Sequence, residues 1–131
     1  MSAITGALSD QDLRDVAAYF SRLSPPAKIG SAGALVANDG SRSDDPVVRL
    51  VYAGNPARGI APCASCHGLN GLKLGAPVLA GQHPAYLKRQ LEAFRGRFRG
   101  NDEGEQMRVV AARLTNDEMD GLSRYLASGR R

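Results

Sequence analysis

The sequence predicts a mostly α-helical chain with long ordered loops. Three observations carry this. Two segments, one near each end, join a capping box to an apolar stripe at i, i+3, i+4 spacing. No segment sustains the period-two alternation of a half-buried strand. Residues 55–82, between them, are too rich in Gly and Pro to form one long helix.

Taken in order, Ser9 and Asp12 open the first helix, and Leu13, Val16, Ala17, Phe20 and Leu23 make its stripe before Pro25 stops it. Residues 24–45 hold prolines, glycines, serines and aspartates with no apolar period and read as a linker. Residues 47–52, a short apolar stretch after Pro46, are a helical candidate. Pro84 suits the first turn of a further helix that carries Tyr86, Leu87, Leu91, Phe94 and Phe98 on one side. Thr115 and Glu118 cap the last helix, whose stripe is Met119, Leu122, Tyr125 and Leu126.

The two ends align without a gap. Met1, Leu8 and Tyr19 match Met107, Leu114 and Tyr125, and Ser9, Asp12, Leu13 and Val16 match Thr115, Glu118, Met119 and Leu122. Such self-similarity marks residues 1–23 as the tail of an earlier copy of the same unit. An exposed stripe of that size finds a partner, so the helix is expected to pack on the body or to pair two copies of the chain as a homodimer.

One domain is expected from 131 residues, and no apolar run approaches the length of a membrane span. No charged and apolar leader opens the chain, so no signal peptide is expected in it. Trp is absent and aromatics are 5%, so something other than aromatic side chains is expected to fill the middle. Residues 1–45 carry four Lys/Arg against six Asp/Glu, and residues 46–131 carry thirteen against seven. That basic second half suits acidic partners. Its densest run, Lys88, Arg89, Arg95, Arg97 and Arg99, lacks the interleaved aromatics of single-strand binders, so no nucleic acid is expected.

The two cysteines lie in Cys63-Ala-Ser-Cys66-His67. Three chemistries compete for this pattern. In the first, one helical turn lays both thiols along a haem edge as thioethers, and His67 is the iron ligand. A thiol–disulfide motif is the second, but it belongs where a strand meets a helix. Half a zinc site is the third, and His83 is the only other histidine to complete it. Haem is favoured, because a large apolar disc supplies the missing core and Gly68 and Gly71 let backbone approach it.

With that motif, the run Pro77-Val-Leu-Ala-Gly-Gln82, then Tyr86-Leu-Lys-Arg-Gln-Leu91, Phe94-Arg95, Met107, Leu114 and Tyr125 resembles a class I c-type cytochrome. It is most similar to the tandem two-domain dihaem group, the cytochrome c4 family. The resemblance covers roughly residues 47–126, and departs from the family in a single Cys-x-x-Cys-His and a long linker.

The resemblance implies an all-α class I cytochrome c fold, with helices around one covalently attached haem c per chain. Residues 1–23 would be the C-terminal helix of a truncated preceding cytochrome domain, 24–45 a linker, and 46–131 a monohaem domain. Met1 would stand where that earlier domain keeps its axial methionine. His67 and Met107, the latter just before a helix as in the family, would ligate the iron, and the Pro77 carbonyl would orient His67. Leu79, Tyr86, Leu91 and Phe94 would line the haem or the helix crossing, with Tyr125. Gln90, Arg95 or Arg97 would reach a propionate. Met119 is expected to be packing and His83 a loop residue, with bis-His ligation through His83 the competing arrangement.

The function implied is one-electron transfer between redox protein partners with acidic docking faces, in the periplasm, and no enzymatic activity. A native signal peptide would have gone with the first domain. Three alternatives stay open. They are a haem enzyme or gas sensor with a labile distal site, the electron-transfer domain of a larger oxidoreductase, and a haem-free thiol or zinc module.

Overall fold

The computed structural model describes residues 5–23, 42–67 and 75–129. Met1, most of the linker, Gly68 and Gly71 lie outside the described residues. Among the described residues six α-helices follow in order: α1 (Asp10–Arg22), α2 (Pro46–Tyr52), α3 (Cys63–His67), α4 (Pro84–Arg95), α5 (Gln106–Arg113) and α6 (Asn116–Ala127). Among the described residues no strand forms, and one isolated bridge joins Asn55 to Ile60.

Local chemistry sets most helix starts. Asp45 caps α2 by accepting from the Val47 N–H, and Pro46 takes the first turn. Pro84 does the same for α4. Both expected capping boxes are complete. Ser9 and Asp12 close on each other at the head of α1, and Thr115 and Glu118 at the head of α6.

Helix α4 packs on both α5 and α6, while α2 packs on α6 and α3. Their shared core is Leu50, Val51, Ile60, Leu87, Phe94, Ala111, Leu114, Met119, Leu122 and Leu126. Each of these apart from Ala111 contributes about 1.5–3 kcal/mol by leaving water. Met119 is packing, as expected, with no exposed surface.

Three expectations need correction. First, α4 ends at Arg95 and does not carry Phe98 on its buried side. Arg97 turns the chain in the left-handed region (φ 59°), and the ring of Phe98 is 92% exposed. The ring lies over Gly96, where a Cβ would come within 2.7 Å of it. The left-handed position after α4 falls to Arg97 and not to Gly96, whose φ is −77°. Second, Met107 lies inside a helix, in the first turn of α5, and not ahead of one. Third, the stripe of α1 does not pack on the body. Leu13, Val16 and Phe20 are 39%, 45% and 64% exposed. The seat that a helix of this design takes, against α2 and α4, is filled by α6.

The α2–α6 crossing is close. A Cβ on Gly121 would stand 2.5 Å from Cγ2 of Val47. The Tyr125 hydroxyl donates to that of Tyr52 at 3.4 Å, which puts Tyr125 at this crossing. Val47 is β-branched and stiff, so it has little room to yield. Gly121→Ala gains about 1 kcal/mol of helix propensity and loses about 1–3 kcal/mol to overpacking. The expected result is a lower denaturant midpoint, relieved when Val47→Ala is added to the same chain.

Candidate functional site

The site is built from the loop before α3. Gly54 (φ 69°) turns the chain so closely that a Cβ there would meet the Ile60 carbonyl oxygen at 2.3 Å. Only glycine fits, and Asn55 and Ile60 then exchange two backbone hydrogen bonds at 2.8 and 2.9 Å. Arg58 pairs with Glu118, and the Arg113 guanidinium donates to the Gly59 carbonyl. These contacts fix the loop to the start of α6 and the end of α5.

Helix α3 then carries Cys63, Cys66 and His67 in one turn and a fraction. Both cysteines are free, and His67 is buried. Nδ1 of His67 lies 2.7 Å from the carbonyl oxygen of Pro77. A carbonyl only accepts, so Nδ1 carries the proton and Nε2 keeps its lone pair for a metal. The acceptor fixes the ring plane and raises its basicity. The segment holding Pro77 is itself anchored, because the Gly81 N–H donates to Leu126 of α6 at 3.1 Å.

The other sequence-nominated residues are distributed as follows. Leu79, Leu91 and Met107 are half-buried against the core. Phe94 is a core residue, and the Arg99 guanidinium sits 4.5 Å from its ring centre. Tyr86 is 41% exposed. Gln90 accepts from Arg99 at 2.7 Å, Arg95 donates to Asn116 at 2.8 Å, and Arg97 lies 3.7 Å from Glu105. His83 is the exposed residue ahead of α4 and borders an open groove with Gly81, Gln82 and Arg124. The sequence did not single out Arg58, Arg113 or the Asp102–Arg108 pair beside Met107. Their signal is tertiary, since each partner lies on another element or across a strained turn.

Burial pushes the Cys63 thiol up to about 11, and the neighbouring Cys66 adds to the rise. A thiol–disulfide motif needs the opposite shift, toward thiolate. Among the described residues no three His, Cys, Asp or Glu side chains gather to hold a metal ion. Two free thiols one turn apart, beside an imidazole with its outer nitrogen available, are the donor set for a covalently held haem.

Residues 59–130 match the family model described as cytochrome c. The chain belongs to the cytochrome c family. It is 39% identical over 130 residues to cytochrome c4 of Stutzerimonas stutzeri, covering 96% of this chain and 58% of that protein. It is 35% identical to a "Thiosulfate dehydrogenase electron acceptor" of Stutzerimonas stutzeri (strain A1501), covering 98% of the chain and 57% of that protein. The crystal structure of reduced recombinant cytochrome c4 from Pseudomonas stutzeri superposes with a TM-score of 0.74 at 37% identity. That match covers 98% of this chain and 65% of the other. The chain thus spans about 60% of the length of these relatives. The fold is the class I cytochrome c fold, whose family carries a covalently attached haem c, and Cys63 and Cys66 stand beside His67 in the Cys-x-x-Cys-His spacing.

Two outcomes follow. Acid–acetone extraction of the protein leaves its haem on the chain, and Cys63→Ala with Cys66→Ala together release it. Glu118 supplies the second test. Burial works against its ionisation, but hydrogen bonds from Arg58 and the Thr115 N–H outweigh this and hold it below its usual value of 4.5. Its stabilisation is present above about pH 4.5 and is lost as pH falls through the lowered value. Glu118→Gln is therefore less stable than the parent at neutral pH, and the gap in denaturation midpoint closes in acid.

Proposed function

We propose that the chain is a one-electron carrier whose c-type haem is ligated by His67 and Met107. The observation that carries this is the 2.7 Å contact between His67 Nδ1 and the Pro77 carbonyl. It commits the ring to one tautomer and leaves Nε2 as its ligand atom. When bound, the haem iron supplies a one-electron ferric/ferrous couple.

The chain's own residues set how that couple behaves. The Pro77 carbonyl strengthens His67 as a donor. The Met107 thioether is a soft, weak donor that favours the ferrous state and raises the potential. Its half-buried place in the first turn of α5 supports this role, and the full burial of Met119 supports a packing role there. Leu79, Tyr86, Leu91 and Phe94 would keep water from the ring, and Gln90 or Arg97 would meet a propionate. The exposed position of His83 argues against bis-His ligation. With His67 and Met107 both holding the iron, no substrate would reach it, which favours a carrier over an enzyme or gas sensor.

The basic second half suits docking to redox proteins with acidic faces, with rates that fall as salt rises. Attachment of haem c takes place outside the cytoplasm, which supports a periplasmic location. Helix α1 has the capping box and stripe of α6 and stays exposed, which supports its origin in a preceding copy of the domain. In the present chain the same stripe would suit a homodimer. The relative named as an electron acceptor of thiosulfate dehydrogenase favours service to a larger oxidative system.

Met107→Ala tests the ligation. The expected variant has a lower reduction potential than the parent, and its reduced form binds carbon monoxide where the parent's does not. An unchanged potential and no carbon monoxide binding would move the sixth ligand elsewhere.

A further inference from the structure

The segment entering α5 is strained and then closed by a buried carboxylate. Gly104 and Glu105 both adopt left-handed backbone, at φ 60° and 59°. For Glu105, which carries a Cβ, this backbone is strained. It persists only where the surroundings over-determine it. The surroundings here are one salt-bridged clamp. The Asp102 carboxylate, with its side chain 5% exposed, accepts from the Arg108 backbone N–H at 3.0 Å and from Arg108 Nε at 2.8 Å. Arg108 Nη1 turns back to Glu105 at 3.1 Å. The clamp therefore spans the two left-handed residues and grips the chain one residue beyond Met107.

We infer that Asp102 and Arg108 are positioning residues that hold Met107 in its ligating register. This rests on the reading of Met107 as the distal ligand. A thioether is a weak ligand, so little from the metal side holds it in place. The protein must supply the register, and the only residues between the clamp's two ends are 103–107. Both hydrogen bonds are charge-assisted, and neither partner is open enough to water to be readily replaced by it. Glu105 shares the clamp with Arg97, which is itself left-handed, so the turn after α4 is tied to the same point.

The test is made on the haem-loaded protein with Asp102→Ala, Asp102→Asn, Arg108→Lys and, as a surface ion-pair control, Asp120→Ala. Three readouts are compared: the weak far-red methionine-to-ferric-iron band, the reduction potential, and carbon monoxide binding by the reduced form. Asp102→Ala is expected to lose most of the far-red band, lower the potential, and raise the fraction open to carbon monoxide by about tenfold or more. Asp102→Asn keeps an acceptor for the Arg108 N–H and is expected to fall between parent and Ala. Arg108→Lys, which keeps the charge without the Nε donor, is expected to shift the same readouts should the Ala variant fail to fold. Asp120→Ala is expected to leave all three unchanged. A less stable Asp102→Ala protein with an intact band and parental potential would make the clamp merely structural and overturn the inference. A parent protein without the band would instead overturn the ligation on which the inference rests.

Discussion

The hydrogen bond between His67 and the Pro77 carbonyl is the constraint on which the site depends. It joins a one-turn helix to a loop ten residues further on. It also selects the tautomer, the ring plane and the free nitrogen at once. The remaining architecture holds its two ends still. On the histidine side, the Gly54 turn, the Asn55–Ile60 bridge and the Arg58–Glu118 pair fix the loop that leads into α3. On the proline side, the backbone bond from Gly81 to Leu126 fixes the segment to α6. Helix α6 therefore stabilises both ends, and its own position is set by the close crossing with Val47 of α2.

The methionine side is organised differently. Nothing in α5 orients Met107 through a direct hydrogen bond, as a thioether is a poor acceptor. Control passes instead to the backbone, through two left-handed residues and the carboxylate that closes over them. A rigid imidazole and a clamped thioether would suit a carrier, because little then has to move when one electron is gained or lost. The basic run plays a less uniform part than its density suggests. Lys88 pairs with Asp120 at 2.8 Å, whereas Arg99 keeps its charge while lying against neutral Gln90 and the face of Phe94.

Much of this was legible in the chain itself. Capping boxes, Pro at a first turn and the Cys-x-x-Cys-His spacing are local, so α1, α3, α4 and α6 followed from neighbouring residues. Helix α5 did not. Its eight residues, with two arginines and a start through left-handed Glu105, carry no N-capping side chain to announce it. Phe98 was misplaced for a similar reason, since the left-handed turn at Arg97 ends the helix before it and leaves its ring exposed. The clamp at Asp102 was invisible because an aspartate six residues ahead of an arginine has no helical spacing to suggest a pair. The seat of α1 was misjudged because an amphipathic stripe says that a helix wants a partner, not that the partner is in the same unit.

The central claim is that His67 and Met107 together hold the iron. It is tested most directly by the optical spectrum of the unaltered protein, first ferric and then dithionite-reduced. The account predicts sharp c-type bands on reduction and, in the ferric state, the weak far-red band of methionine bound to iron. Sharp c-type bands without that far-red feature would contradict it, and would return the sixth position to His83 or to an open site.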